Sequence, residues 1–177
     1  FEAWVKLSGS CSGSGATGQM VVGIETEYAI WCENNVWASS QYTSSWQTTD
    51  TTYYVVSGQW THLALTRDAS NNWFFYVNGD TQTSGTQSGV STTGNKLYVG
   101  ALPARQYLNG AVDEVKYWNV YRTQTQIRSD MNTYGPVGDT NLQIYYTFND
   151  AVVAGGAQTL SNFSGQQATN TVTTYIS

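Results

Sequence analysis

The sequence has 177 residues and a formal net charge of −5, and its composition excludes several classes of protein. More than a third of the residues are Ser, Thr, Asn or Gln, 14% are aromatic and only 11% are charged. A disordered chain would have few aromatic residues and many charges, and a nucleic-acid-binding protein would need a basic face, so neither class fits. The longest apolar runs are a few residues, so we expect no membrane insertion.

Most of the sequence predicts short β-strands separated by turn residues, the pattern of an all-β sandwich. Residues 1–7 alternate, with Phe1, Ala3, Val5 and Leu7 on one face and polar or aromatic residues on the other. Asn78-Gly79 predicts a tight hairpin turn, and residues 81–94 predict a polar arm. The predicted strands are 1–7, 20–24, 28–32, 37–42, 51–56, 60–67, 73–77, 96–99, 111–118, 141–148 and 169–176.

One short helix is predicted near residues 123–132. Thr123 is a candidate N-cap, and Gln126 stands three residues later, as in a capping box. Ile127 and Met131 lie four positions apart, so one helix face is apolar and would pack on the sandwich.

Cys11 and Cys32 are the two cysteines. In a chain rich in Thr and aromatic residues and poor in Lys, they suggest an oxidising compartment and one disulfide, with two reduced thiols as the alternative.

Five segments together resemble one family. They are FEAWVKL (1–7), GQWTHLALTRD (58–68), FYVNG (75–79), LNGAVDEVKYWNVYRTQTQI (108–127) and LQIYYTFND (142–150). In this order they are similar to a laminin-G-like domain of the concanavalin A-like lectin/glucanase superfamily. The resemblance covers roughly residues 1–150 and implies a two-sheet antiparallel jelly-roll β-sandwich with a concave and a convex face. Residues 1–177 contain no obvious linker, so we expect them to form a single domain.

The family usually has another strand before the FEAWV segment. Either that strand has been cut off, or residues 169–176 fill its place in this domain or in a neighbouring one. An unfilled place would leave an unpaired strand edge, which proteins avoid. We therefore expect the domain to be truncated or permuted at Phe1, with self-assembly or strand exchange as a possible consequence.

The sequence predicts no enzyme. Glycosidases of this superfamily place two Glu residues and an Asp along one strand, whereas Glu25-Thr26-Glu27 lacks the Asp and has the wrong spacing. Asp113 and Glu114 are adjacent, so in a regular strand they point to opposite faces. His62 is the single histidine and lies beside a predicted core tryptophan, so we assign it a structural role.

A structural calcium ion is the cofactor that the resemblance implies. Related proteins hold calcium on the convex side with an Asp that opens the last long strand, and Asp113 is similar in place. On a regular strand Asp113 shares a face with Val115 and Tyr117, so its carboxylate would need a partner. The alternatives are a hydrogen-bonded Asp at the strand end and a salt bridge to Arg105.

The seven tryptophans divide into two groups. Four lie in strands that resemble the family's structural strands and are expected in the core: Trp4, Trp60, Trp73 and Trp118. The other three stand near polar amides and are expected at the surface: Trp31, Trp37 and Trp46, with Asn34, Asn35, Gln41 and Gln47. Exposed rings stack on sugar C–H surfaces while amides bind hydroxyls, so we predict a ligand site here. The alternatives are a second small core and a subunit contact.

The sequence therefore predicts a non-catalytic extracellular binding or adhesion module that recognises glycan or a partner protein. The alternative is a structural subunit of a surface filament, sheath or virion, since low charge and abundant Thr, Gln and Asn suit assembly through strand edges.

Overall fold

The computed structural model describes residues 1–24, 26–94, 96–102, 106–133 and 139–149. These residues form eleven strands and one α-helix. The strands are β1 (Glu2–Leu7), β2 (Gln19–Ile24), β3 (Tyr28–Glu33), β4 (Val36–Tyr42), β5 (Trp46–Tyr54), β6 (Thr61–Arg67), β7 (Asn72–Val77), β8 (Asp80–Thr86), β9 (Leu97–Val99), β10 (Gly110–Trp118) and β11 (Leu142–Tyr146); the helix is α1 (Gln124–Asp130). The predicted strand at 169–176 and the predicted partner Arg105 lie outside the described residues.

The strands form two antiparallel sheets, which confirms the predicted fold class. One sheet has six strands in the order β11-β10-β1-β6-β7-β8, and the other has five in the order β5-β4-β3-β2-β9. The two sheets pack face to face as a β-sandwich, consistent with a jelly roll. Within the described ranges no helix is long and apolar enough to cross a membrane.

The core lies between the sheets and follows from strand alternation. The inward residues of β1 are Ala3, Val5 and Leu7, none more than 1% exposed. They pack with inward residues of β3, β6, β7 and β10 in one apolar cluster: Ile30, Cys32, Leu63, Leu65, Trp73, Phe75, Val77 and Val115. The alternation predicted for residues 1–7 is confirmed, because Ala3, Val5 and Leu7 lie in the core cluster and the residues between them do not. Strands β1 and β6 pair directly from Glu2↔Ala64 to Val5↔Thr61.

The edge strands differ from prediction. Residues 80–86 form strand β8 rather than a polar arm, after a turn in which Asn78 and Gly79 both have positive φ. Strand β5 begins at Trp46, five residues before the predicted start. Both strands are polar and lie at sheet edges, where ladder hydrogen bonds to one neighbour form the strand without an apolar alternation.

Helix α1 and a buried polar network cover part of the outer face of the six-stranded sheet. The predicted capping box at Thr123 and Gln126 is confirmed, and Ile127 is fully buried against Ala64 and Tyr76. Beside the helix, the carboxylate of the fully buried Glu2 accepts a hydrogen bond from Trp118 Nε1 at 2.8 Å. Its other oxygen lies 3.4 Å from Nε2 of His62, which is 1% exposed, in keeping with the structural role predicted for this histidine.

The predicted disulfide between Cys11 and Cys32 is confirmed. It ties the loop between β1 and β2 to strand β3, and both cysteines are buried. Two backbone hydrogen bonds reinforce the tie, from Asn34 N to Gly13 O and from Asn35 N to Cys11 O, each 2.9 Å long. The loop is therefore anchored to the β3–β4 turn.

Two tryptophans differ from prediction in whether they lie in the core or at the surface. Trp37 was predicted at the surface, but it is 1% exposed and packs in the core between the sheets. Trp60 was predicted in the core, but it is 38% exposed. The reason is strand parity: Trp37 pairs with the inward Cys32, whereas Trp60 directly precedes the buried Thr61 and lies on the outer side of its sheet. Trp73 and Trp118 are buried as predicted, and Trp4 is half-buried.

Replacing both cysteines with Ser should lower the free energy of unfolding by about 3 kcal/mol, because the disulfide closes a loop of 21 residues in the unfolded chain. Urea unfolding of the double variant and of the oxidised protein measures the difference. Reductant should bring the parent protein to the stability of the double variant and leave the variant unchanged. A loss well under 1 kcal/mol would contradict this expectation.

Trp37→Ala should cost about 3–5 kcal/mol of unfolding free energy, because it empties a buried site in the core. Trp60→Ala should cost less than half as much, because more than a third of its surface is already in water. Chemical denaturation of the two variants under identical conditions compares these losses. Equal losses would mean that Trp60 carries core packing in solution.

Candidate functional site

A second apolar cluster lies on the outer face of the five-stranded sheet, away from the core. Trp31 and Trp46 meet edge to face, with ring centroids 5.6 Å apart and an interplanar angle of 89°. Tyr42 contacts Trp46 in the same manner at 5.4 Å and 72°. We call Trp31, Trp46 and Tyr42 the outer aromatic cluster. Three large rings on an outer sheet face form the kind of surface that stacks against a ligand.

Strand pairing explains why these rings meet. Trp31 on β3 is directly opposite Ala38 on β4, and Tyr42 on β4 is directly opposite Trp46 on β5. The small residues Ala29 and Ala38 form the floor of this face and leave room for the large rings above them. Trp31 starts four residues along the sheet from the Tyr42–Trp46 pair, and its ring reaches Trp46 across the small residues between them.

The exposure of the cluster differs from ring to ring. Trp31 is 6% exposed and forms its base, whereas Trp46 and Tyr42 are half-buried. Trp31 Nε1 is buried and has no hydrogen-bond partner in the described part of the chain. The accessible ring surface therefore belongs to Trp46 and Tyr42. Expecting Trp31 at the surface was wrong, because its ring is buried in a small cluster with Met20, Ala29 and Ala38 on this outer face.

Polar groups continue the same face along β5. The hydroxyls of Ser40 and Thr48 are 2.7 Å apart, and Thr48 and Asp50 are exposed. Four residues separate Trp46 from Asp50, which is a distance of about 13 Å on an extended strand. An aromatic platform is thus followed by hydroxyl and carboxylate groups over the length of two or three sugar rings.

Two carboxyl groups lie at the polar end of this face. Glu33 is 8% exposed, and its Oε2 accepts a hydrogen bond from the backbone N–H of Gly15 at 2.6 Å. Burial raises the pKa of Glu33 above its usual value, the Gly15 hydrogen bond opposes that effect, and the neighbouring Asp50 raises the pKa further. Asn34 Nδ2 donates to Asp50 at 3.4 Å.

The structure separates the residues of the predicted ligand site. Trp31 and Trp46 are brought together on the outer face, but Trp37 and Gln41 point into the sandwich and are 1% and 3% exposed. Expecting Trp37 at the surface was wrong because alternation along β4 turns Trp37 and Gln41 inward and Ala38, Ser40 and Tyr42 outward.

The two asparagines of the predicted site form the β3–β4 turn. Asn34 and Asn35 both have positive φ, 51° and 62°, a conformation that asparagine tolerates better than most residues. Asn34 is exposed and reaches Asp50, at the polar end of the face. It thus contributes an amide at that end, three residues after Trp31 and directly after β3.

The sequence analysis missed Tyr42, Thr48 and Asp50. Alternation along β4 and β5 places these three residues on the outward face, but this prediction can be made only once the inward face of β4 is known. Both faces of β4 carry one aromatic and two small or polar residues, so hydropathy does not identify the core side.

Of the carboxylates weighed for catalysis, Glu27 is buried and accepts a hydrogen bond from Gly94 N at 3.0 Å, and burial raises its pKa. Glu25 lies outside the described residues. The carboxylate of Glu114 is bonded to the hydroxyl of Tyr145.

The expected facing of Asp113 was wrong. Glu114 has a φ of +51° at an irregularity in the β1–β10 pairing, and this extra residue breaks the alternation. Asp113 is therefore opposite Trp4, on the outer face, while Val115 lies in the core. Burial raises the pKa of Asp113, and the hydrogen bond from Glu114 N at 2.8 Å opposes this rise.

The donor set around Asp113 is small for calcium, which prefers six to eight oxygen ligands. Across the described ranges no group of three or more His, Cys, Asp or Glu side chains converges as a metal site. The described side chains therefore do not by themselves fit a calcium ion, and the calcium expectation stays a prediction.

Comparison with solved structures finds the same fold in several proteins. A proposed carbohydrate-binding protein from Bacteroides ovatus is 19% identical, with a TM-score of 0.74 over 93% of this chain and 49% of its own. Domain 4 of AbnA, an extracellular GH43 arabinanase from Geobacillus stearothermophilus solved with arabinotriose, is 25% identical, with a TM-score of 0.56 over 73% of this chain and 64% of its own. This chain thus spans about half of the first and under two thirds of the second.

A third structure is the CBM40 domain of the Ruminococcus gnavus IT-sialidase, bound to α2,3-sialyllactose. It is 10% identical, with a TM-score of 0.55 over 72% of this chain and 79% of its own, a likeness of fold. No curated protein sequence matches. The laminin G family model described as concanavalin A-like lectin/glucanases superfamily matches residues 1–128, well over half of the chain. The chain therefore belongs to the laminin-G-like family of the concanavalin A-like lectin/glucanases superfamily.

Proposed function

We propose that this chain is a non-catalytic carbohydrate-binding module of an extracellular protein and that the outer aromatic cluster is its binding site. The observation that carries the proposal is the half-buried pair Trp46 and Tyr42, supported by Trp31 and followed by hydroxyl and carboxylate groups on one sheet face. The fold neighbours support it, because two of them were solved with bound oligosaccharides. The disulfide supports an extracellular location.

The chemistry of the site suits sugars better than peptides or anions. A sugar presents an apolar C–H face to an aromatic ring and hydroxyls at its edge, which require both donors and acceptors. Thr48 supplies a hydroxyl that donates and accepts, and Asp50 supplies an acceptor. Two acidic residues at the polar end disfavour an anionic ligand there, so a neutral oligosaccharide is the expected ligand of this face.

Trp46→Ala and Tyr42→Ala should each weaken binding of a neutral oligosaccharide at least tenfold, because ring stacking is lost, while changing stability little. Isothermal titration with arabinotriose and with neutral hexose trisaccharides measures affinity, and thermal unfolding checks the fold. Tyr107→Ala is the matched control, because Tyr107 is an aromatic residue that is 54% exposed outside the cluster.

Loss of affinity in the Tyr107 variant equal to that in the Trp46 variant would contradict the assignment of the site. The alternative function, a structural subunit of a surface assembly, predicts a different result. In that case the parent protein would bind no saccharide on a glycan array and would form polymers in light scattering.

Calcium is a separate proposal, drawn from the family resemblance of Asp113. If Asp113 helps to hold a structural calcium ion, millimolar chelator should lower the melting temperature, because the ion binds only the folded state. Asp113→Asn should remove that sensitivity, and re-adding calcium should restore the melting temperature of the parent protein alone. Identical melting curves with and without chelator would end the proposal.

A further inference from the structure

Trp60 is an exposed aromatic residue that neither the core nor the proposed site uses. It is 38% exposed, while the next two residues, Thr61 and His62, are 3% and 1% exposed. It lies on the outer face of the six-stranded sheet, which is the face opposite to the outer aromatic cluster. A single exposed aromatic residue is common on protein surfaces, so Trp60 is informative only through the groups that lie beside it.

Lys6 lies directly beside this ring. Its Nζ is 5.0 Å from the centroid of the Trp60 ring, a cation–π contact. Among the other described cations, Arg67, Lys116, Arg122 and Arg128 each donate a hydrogen bond, and Lys96 also interacts with another residue. Lys6 has no carboxylate or hydrogen-bond acceptor in the described part of the chain, so its ammonium has donors to offer.

An acceptor stands in the next row of the same face. Trp4 pairs with Asp113 on one side and with His62 on the other, and Lys6 pairs with Ala111, two residues before Asp113. The Asp113 side chain accepts a hydrogen bond from the adjacent backbone N–H of Glu114. A ring, an ammonium and a carboxylate therefore lie within two neighbouring rows of one sheet.

Helix α1 does not extend over this area. Its buried residue Ile127 packs on Ala64 and Tyr76, toward the β7 side of the sheet. Directly after the helix, the backbone oxygen of Met131 accepts a hydrogen bond from Trp4 Nε1 at 3.1 Å. Next to Trp4, the side chains of Lys6 and Trp60 are each at least partly exposed among the described residues.

We infer that Trp60, Lys6 and Asp113 form a second saccharide-binding surface, on the sheet face opposite to the outer aromatic cluster. The inference rests on the proposed function for its class of ligand. The Trp60 ring provides the stacking platform, Lys6 donates to sugar oxygens, and Asp113 accepts from sugar hydroxyls. A neutral oligosaccharide fits this pairing, because an acidic sugar would meet the Asp113 carboxylate beside the ammonium.

The two surfaces can be observed separately through the indole N–H signals of the tryptophans in ¹H–¹⁵N spectra. The protein is titrated with a panel of neutral trisaccharides, including arabinotriose. We expect the Trp46 and Trp60 indole signals to shift along two independent binding curves. Trp60→Ala and Lys6→Gln should each weaken saccharide binding at this surface at least tenfold and leave the Trp46 binding curve unchanged. In the Trp60→Ala variant, binding is read from the backbone N–H signals of Lys6 and Ala111; in the Lys6→Gln variant, it is read from that of Ala111.

Trp46→Ala is the matched reciprocal variant and should leave the Trp60 curve unchanged. Lys6→Gln retains the Trp60 ring, so it still tests this surface if the Trp60→Ala variant does not fold. Saturation of the Trp46 signal with no shift at Trp60 overturns this inference and leaves the proposed function standing. Absence of shifts at either tryptophan with every sugar of the panel overturns both.

Discussion

The packing of strand β1 on both of its faces is the constraint on which the rest of the structure depends. Its odd residues, such as Ala3 and Val5, fill the core between the sheets and are fully buried. Its even residue Glu2 is equally buried on the other side, where a bare carboxylate would be costly. Trp118 and His62 compensate that cost by surrounding the carboxylate. Because β1 lies between β6 and β10, these contacts tie three central strands together.

The buried network on one sheet determines where a ligand can bind. Glu2, its partners and helix α1 cover the middle of the six-stranded sheet, where Glu2, Trp118 and Ile127 are buried. The salt bridge of Arg122 with Asp130 and the stacking of Arg122 on Trp118 at 3.9 Å hold the helix end against this network. Among the described residues, accessible aromatic surface is found at Trp46 and Tyr42 on the five-stranded sheet and at Trp60 beside β1.

Much of the fold could be predicted from sequence because alternation and turn chemistry are local signals. The capping box at Thr123 and the Asn78-Gly79 turn require only neighbouring residues, and both are confirmed. Strand β8 was missed because an edge strand needs no apolar face. Asp113 was assigned to the wrong face because Glu114, which has a positive φ, adds one residue to the strand. This extra residue moves the side chains before it to the opposite face of the sheet. Predicting the site required non-local information of the same kind, namely which face of β4 packs against the core.

Strand β4 shows why the site was only partly predictable. Its inward side carries Trp37, Ser39 and Gln41, and a polar atom of each is buried without a hydrogen-bond partner in the described part of the chain. Its outward side carries Ala38, Ser40 and Tyr42, which is no more polar. Because the inward face of β4 also carries amide and hydroxyl groups, its hydropathy does not differ from that of the outward face. In protein interiors such buried polar atoms are commonly satisfied by ordered water. Polar residues on β4 therefore do not by themselves identify a ligand-binding face, because the face toward the core also carries polar groups that water can satisfy. Only the pairing of Tyr42 with Trp46 distinguishes the outward face from the inward one.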